Sequence, residues 1–260
     1  MDMKSQYKGV IDLNCDLGES FGRYTLGDDT AMMELITSAN VACGFHAGDP
    51  VVMQRTVSLA IAHGINIGAH PGYPDLQGFG RRTLSMTQEE LRAMILYQLG
   101  ALQSFARTIG VPLRHVKPHG ALYNTAARDE RVAEAIAQAV LDFDPSLMLL
   151  TLPGSTLAQA ARALGLRVAR EGFADRAYQA DGTLVPRSHP NALITDAATV
   201  AARAVRMVTQ HKVTAVTGEE ISMQVETLCV HGDTPDAMGI TQAVRQALEG
   251  TGVRIIPLGR

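Results

Sequence analysis

The sequence predicts a parallel α/β fold in which strand–helix units follow one another along the chain. Three observations carry this. Short apolar runs alternate with helix-period segments from residue 9 to residue 256, and such alternation implies parallel pairing with right-handed crossovers. Seven such units fill 260 residues with no internal repeat or low-complexity linker. That fits a single domain over 1–260, a closed or nearly closed β/α barrel, with an open doubly wound sheet as the alternative. Almost every strand also ends on a polar residue with glycine close by: Asp16 with Gly18, His46 with Gly44, His70 with Gly72, His119 with Gly120, Glu171 with Gly172, His231 with Gly232. Parallel folds carry their sites at strand carboxyl ends, where glycine lets backbone approach a ligand.

The first strand starts at Val10 and Ile11 and continues as D-L-N-C-D-L-G-E-S over 12–20. Successive strand side chains face opposite ways, so Asp12, Asn14 and Asp16 share one face and Leu13 and Cys15 the other. Aspartate and asparagine are disfavoured in strands. Three on one face read as the wall of a polar pocket; an edge strand with a wet face is the plain alternative, and the recurrence of polar strand ends argues against it. Asp28 and Asp29 precede a short helix over 31–36, placing acid at its positive end. Residues 38–43 form the second strand, ending in G-F-H-A-G-D. Asp49 caps and Pro50 opens a helix that runs to His63 and stops at Gly64. The third strand, 65–69, opens into a glycine-rich loop over 70–82. Thr87 and Glu90 make a capping box for a helix reaching Ile109.

Residues 113–117 form the fourth strand, ending in K-P-H-G-A-L-Y-N. Val132, Ile136, Ala139, Val140 and Phe143 mark the next helix. A fifth strand (147–152), a helix (156–164) and a sixth strand (166–169, ending in E-G-F-A-D-R) follow. The stretch 178–195 breaks the rhythm with an Asp181-Gly182 hairpin turn, and about 172–195 reads as a lid-like insertion. Thr195 caps a helix through about Thr209. Residues 213–216 and 221–225 flank Gly218 as a small hairpin. Residues 227–230 form the seventh strand, ending in H-G-D. Thr234 and Pro235 start the last helix, and 253–256 close the chain as a short strand.

Composition narrows the function. Net charge is −3, with no basic run or aromatic–basic stripe for nucleic acid. Tryptophan is absent and aromatics are 5%, which leaves few parts for a stacking platform. No run of about 18 apolar residues spans a membrane, and the polar segment 1–8 lacks a signal-peptide core. Cys15, Cys43 and Cys229 are odd in number and lack C-x-x-C spacing, so they read as small buried hydrophobes in a reducing cytoplasmic setting.

Four of the eight histidines sit at strand ends; His63, His115, His189 and His211 do not, and are assigned structural or surface roles. Histidine and carboxylate suit metal ligation or acid–base work, although His46 to Asp49 matches neither a zincin nor a finger spacing. Lys117, inside an apolar strand, is read as pointing into the site toward a carboxylate or phosphate rather than snorkelling outward. Arg81 and Arg82 in G-F-G-R-R suit forked anion binding, with surface solubility as the plain alternative. No Walker A or dinucleotide fingerprint occurs.

The strings D-L-N-C-D-L-G-E-S, N-V-A-C-G-F-H-A-G-D-P, G-A-H-P-G-Y-P-D, G-F-G-R-R, K-P-H-G-A-L-Y-N, E-G-F-A-D-R-A-Y and C-V-H-G-D together resemble the LamB/YcsF family, described as the A subunit of bacterial 5-oxoprolinase. The resemblance runs from about Ile11 to the last helix. It implies a seven-stranded parallel β/α barrel like that of glycoside hydrolases and polysaccharide deacetylases. It further implies ATP-dependent opening of the lactam 5-oxoproline (pyroglutamate) to L-glutamate, with ATP and Mg2+ as cofactors and B and C subunits as partners. On that reading Asp16, His46, Lys117, His119 and Asp12 are catalytic candidates, with Asp16 holding magnesium or taking a proton. Asn14, Glu19, His70, Arg81, Arg82, Glu171, Arg176, His231 and Asp233 are substrate- or phosphate-binding candidates. One rival is a metal-dependent amidase or deacetylase working without ATP, with Asp16, His46 and His70 as ligands. The other is a non-catalytic subunit that presents the lactam to a partner enzyme.

Overall fold

The computed structural model describes residues 9–232 and 236–259; the readings made on residues 1–8, on Asp233 and on a helix start at Thr234 and Pro235 lie outside them. In chain order the elements are β1 (Val10–Leu17), α1 (Asp29–Met33), β2 (Ser38–Ala42), α2 (Pro50–Ala62), β3 (Asn66–His70), α3 (Gln88–Thr108), β4 (His115–Val116), α4 (Gly120–Ala126), α5 (Glu130–Phe143), β5 (Met148–Thr151), α6 (Thr156–Ala163), β6 (Arg167–Phe173), α7 (Ala197–Gln210), β7 (Lys212–Thr214), β8 (Glu220–Ser222), β9 (Thr227–Val230), α8 (Ala237–Gly250) and β10 (Arg254–Ile255). Strands β1 to β6 pair in sequence, β6 pairs β9, and β9 returns to β1, all in parallel. This closes a seven-stranded barrel, not an open sheet. β10 adds to the start of β1, and β7 with β8 forms an antiparallel hairpin outside the ring.

Strand parity decides where the cores lie. Val41, Ile67, Val116 and Leu149 face outward and pack with Val57, Leu99 and Ile136 of the surrounding helices. Leu13, Leu228 and Val230 do the same against Val200, Met207 and Val244. Each such buried aliphatic group contributes roughly 1.5–3 kcal/mol. The apolar mass therefore sits between barrel wall and helices, and the face of β1 left over, carrying Asp12, Asn14 and Asp16, looks into the barrel. One neighbour there is shaped by a missing atom: a Cβ on Gly68 of β3 would lie 2.1 Å from the His115 ring.

Several boundaries differ from the sequence reading for physical reasons. β6 continues past Ala169 because Glu171 and Phe173, which look like turn approach in sequence, pair in register with Thr227 and Cys229. α4 was not expected; His119 at its N-cap supplies no side-chain hydrogen bond, so no capping signal marks it. The cap of α7 is Asp196, which accepts from the Thr199 amide, and not Thr195. The stretch after β6 contains isolated bridges, Arg176 to Leu193 and Tyr178 to Leu184, around the expected turn. All three cysteines are free and buried, and burial pushes the Cys43 thiol up to about 12. Among the described residues no helix is long and apolar enough to cross a membrane.

Candidate active site

The barrel interior is polar from its base to its mouth. At the base, Asp12 is buried and accepts hydrogen bonds from Thr37 Oγ1 (2.7 Å), Ser38 Oγ (2.6 Å) and Thr227 Oγ1. Burial raises its pKa and the three hydroxyls work against that rise. Asp12 does not line the cavity at the mouth. Its observed contacts tie β1 to its neighbours, away from the place where its expected catalytic role would be exercised. One layer higher, Asn14 donates to Thr227 Oγ1 (2.7 Å) and its carbonyl accepts from Asn40 Nδ2 (2.7 Å) and Lys117 Nζ (3.3 Å). Asn40 also donates to Asp16 Oδ1 (2.8 Å), and its own carbonyl accepts from His115 Nε2 (2.7 Å). Asn14 is thus a wall residue under the site, and His115 is buried beneath it against Asn40.

Lys117 is the centre of the next layer. Its Nζ lies 2.8 Å from Asp16 Oδ1, 3.1 Å from Glu171 Oε1 and 2.9 Å from Cys229 Sγ. Burial works to lower the lysine, but Asp16, Cys229 and Glu171 outweigh it and hold it well above the ordinary range. Burial likewise works to raise Asp16, yet His70 and Lys117 hold its carboxyl well below the usual carboxylate range. Both directions describe one buried ion pair, with Glu171 as a second anion. The sequence reading is met here: Lys117 points inward.

At the mouth, His70 Nδ1 is 2.6 Å from the Lys117 carbonyl oxygen and its Nε2 is 3.2 Å from Asp16 Oδ2. His119 Nδ1 is 2.9 Å from His70 Nε2, and its Nε2 is 2.8 Å from the Phe79 carbonyl. Glu19 Oε1 lies 3.4 Å from His46 Nε2 and 3.5 Å from His119 Nδ1. The His46 and His119 rings stack at 3.7 Å with 5° between planes. Burial, with neighbouring histidines, holds both well below the ordinary imidazole range. Across the mouth His231 Nδ1 meets Asp175 Oδ2 at 2.7 Å. Burial works to raise Asp175, and His231 with its hydrogen bonds lowers it below the usual value.

A cavity of about 400 Å³ opens above this layer. Asp16, Glu19, His70, Lys117, His119 and His231 line it, with Arg81, Arg176 and residues 183–188 at its rim. Both the 70–82 loop and the 178–195 stretch therefore border the mouth. Arg176 is held there by donating to Val185 O (2.7 Å) and Ala192 O (3.3 Å). Arg82 is placed otherwise than expected for anion binding: its Nε donates to Asp75 Oδ1 (3.0 Å), and its side chain is turned outward. Glu171 and His46 sit behind the cavity wall. Asp175 and Arg187 were not singled out from sequence; Asp175 stands inside E-G-F-A-D-R, but its pairing with His231 crosses 56 residues.

Two groups of donors could hold a metal ion: Glu19, His46, His70 and His119, and separately Asp16, Cys229 and His231. The ligand set read from sequence is thereby divided, with Asp16 apart from the two histidines. Magnesium does not fit Asp16. Its oxygens already face Asn40, Lys117 and His70, its nearest companions are a thiol and an imidazole, and Mg2+ requires hard oxygen ligands in octahedral order. No step is drawn through magnesium at that carboxylate.

A closed parallel barrel whose strand ends converge a buried lysine, carboxylates and histidines on one cavity belongs to the class of β/α barrels with an enzyme-type site at the carboxyl face. The particular family follows from likeness to known proteins: the chain matches the LamB/YcsF family over residues 11–260 and belongs to it. A relative from Symbiobacterium thermophilum, named as the A subunit of 5-oxoprolinase, is 59% identical over 245 residues, covering 94% of each chain. One of the same name from Pyrococcus furiosus is 55% identical over 249 residues, 96% of this chain and 98% of its own. The crystal structure of a lactam utilization protein from Thermus thermophilus superposes with a TM-score of 0.91 at 50% identity, covering 96% of this chain and 100% of that one.

Proposed function

We propose that this chain is the ring-opening A subunit of a 5-oxoprolinase, cleaving the cyclic amide of 5-oxoproline to L-glutamate in a reaction driven by ATP hydrolysis, with B and C subunits as partners. The names borne by its relatives support the substrate class. The observation that carries the reading is the buried Lys117–Asp16 pair at the floor of a small-molecule cavity, 2.8 Å apart.

A five-membered lactam is a stable amide, so attack by water needs activation. ATP, as co-substrate, would phosphorylate the amide oxygen and so make the ring carbonyl carbon open to water. The ring C–N bond then breaks, and its nitrogen takes a proton to leave as the amine of glutamate. The acyl phosphate left behind is hydrolysed to carboxylate and phosphate. The chain's own residues do the rest. Lys117 offers a fixed positive charge where negative charge develops on the reacting oxygens, inside a site largely closed to water. Asp16 keeps that lysine in place and stays ionised. His231, whose Nδ1 is tied to Asp175, presents its other nitrogen as acceptor for a proton from water, as an oriented histidine does in hydrolytic sites. Arg81 and Arg176 at the rim suit the substrate carboxylate or a phosphate.

The test is Asp16→Asn, which keeps size and most hydrogen bonding while removing the charge. Lactam-dependent ATP hydrolysis, assayed with the partner subunits present, falls by about a hundredfold or more, while the far-ultraviolet spectrum is unchanged. A folded Asp16→Asn protein with near wild-type turnover removes the pair from the mechanism. Glutamate release by the isolated chain without nucleotide replaces the reading with an amidase that needs no ATP.

A further inference from the structure

Glu19, His70 and His119 stand at the mouth, and the ring-opening chemistry above leaves them without a task. Each imidazole is fixed by a main-chain carbonyl: His70 Nδ1 at 2.6 Å from Lys117 O, His119 Nε2 at 2.8 Å from Phe79 O. A carbonyl oxygen only accepts, so each of those nitrogens carries its ring's proton. In neutral rings the opposite nitrogens, His70 Nε2 and His119 Nδ1, then both present lone pairs, and they face each other across 2.9 Å. Carboxylate oxygens enter the same space. Glu19 Oε1 is 3.5 Å from His119 Nδ1 and Asp16 Oδ2 is 3.2 Å from His70 Nε2. With both rings neutral, two imidazole lone pairs meet there beside two carboxylate oxygens, and all four residues are buried. Such an arrangement calls for a positive charge at its centre.

The geometry points to a divalent transition-metal site of the zinc class, held by His70 Nε2, His119 Nδ1 and Glu19 Oε1, with its remaining position open to the cavity. Two imidazoles and one carboxylate with a free position form the donor set of open zinc sites. The same set disfavours magnesium and calcium, which take oxygen ligands. The two carbonyl hydrogen bonds are the outer contacts that fix ring orientation at such sites. All three proposed ligands line the cavity.

His46 stands next to this donor set. It is fully buried, and neither ring nitrogen has a hydrogen-bond partner among the described residues, yet Nε2 lies 3.4 Å from Glu19 Oε1. Its ring is parallel to that of His119 at 3.7 Å. An imidazole lone pair lies in its ring plane, so two stacked rings cannot aim at one ion. His46 is thus a positioning residue that steers Glu19, and Asp16 stays with Lys117. The inference stands apart from the ATP requirement, because its readout is the metal itself.

The test uses the full chain, stripped with a chelator and titrated with Co2+ and then Zn2+, with circular dichroism confirming the fold. One equivalent of Co2+ is expected, with the visible absorption bands of a nitrogen-ligated ion of low coordination number. Zn2+ displaces it, and excess Mg2+ does not. His70→Gln and His119→Gln each weaken binding by more than about 100-fold, and His46→Gln by about 10- to 100-fold, the loss typical of an outer contact. Failure of the folded, stripped wild type to bind a stoichiometric ion overturns the proposal and leaves a proton shared between His70 and His119 as the bridging charge. Binding that survives undiminished in both ligand variants overturns it equally.

Discussion

His115 shows what the polar barrel asks of one residue. Its ring fills the space that a side chain at position 68 would occupy and donates to Asn40 at 2.7 Å. Burial first, then the charges of Lys117 and His70, press its pKa down to about 3. The folded protein therefore keeps this ring neutral where the unfolded chain takes up a proton, below about pH 6.5. Its effect on stability is nil above that pH. It grows as pH falls from 6.5 toward 3, costing about 1.4 kcal/mol per pH unit at full slope and about 2 kcal/mol by pH 5. Urea unfolding at pH 7 and pH 5 measures this: His115→Gln, less stable at pH 7, should lose about 2 kcal/mol less than wild type on acidification. Equal losses in the two proteins would assign the acid sensitivity to other groups.

At the scale of elements, most of the fold was legible because it rests on local rules. The Thr87–Glu90 capping box is present in full, and Asp49 accepts from the amides of Val51 and Val52 ahead of Pro50. The stop after α2 at Gly64 and the span of β9 agree with the sequence reading. What was not legible rests on contacts made far away. α4 lacks a capping side chain, β6 is prolonged by its partner strand, and Arg82 is drawn off by Asp75. Asp175 looks like any loop aspartate until His231 meets it. The loop 70–82 joins both kinds of information at Gly80. That residue has φ +63°, and a Cβ there would lie 2.7 Å from His46 Cβ and 2.8 Å from His119 Cδ2. Gly80→Ala should destabilise by about 1–3 kcal/mol and separate the stacked rings. Imidazole resonances of His46 and His119 unmoved by the substitution would show that the loop has room to give.

For the whole molecule, strand count and strand-end chemistry were enough to anticipate a barrel with its polar strand ends gathered at one face, since polar residues with glycine close by recur at the same end of successive strands. The cover over that face is held from across the mouth. Arg128, at the turn between α4 and α5, pairs with Asp181 at 3.0 Å and also donates to Thr183. The segment 183–188 that follows lines the cavity, and segments of this kind gate barrel sites. Arg128→Ala should speed amide hydrogen exchange in 178–188 by about tenfold or more, as roughly 1.4 kcal/mol of restraint is lost, and leave the barrel strands unchanged. Unchanged exchange in 178–188 would mean that the segment's other contacts, those of Arg176 among them, hold the cover without Arg128.

The ring of strands is shut by β9 against β1, with Thr227 bonded to Asp12 across 215 positions of chain. During synthesis, β1 leaves the ribosome first and must wait for almost the last strand to be made. Until then the sheet has two open edges, β1 and β6, of the kind that recruit foreign strands. Asp12, Asn14 and Asp16, which later fill the barrel interior, are carried on one of those edges, where charge discourages wrong pairing. Nascent chains stalled before residue 227 should therefore stay protease-sensitive and lean on holdase chaperones, and chains released after α8 should not. Protection already complete in the shorter chains would show that the barrel does not depend on that final strand to close.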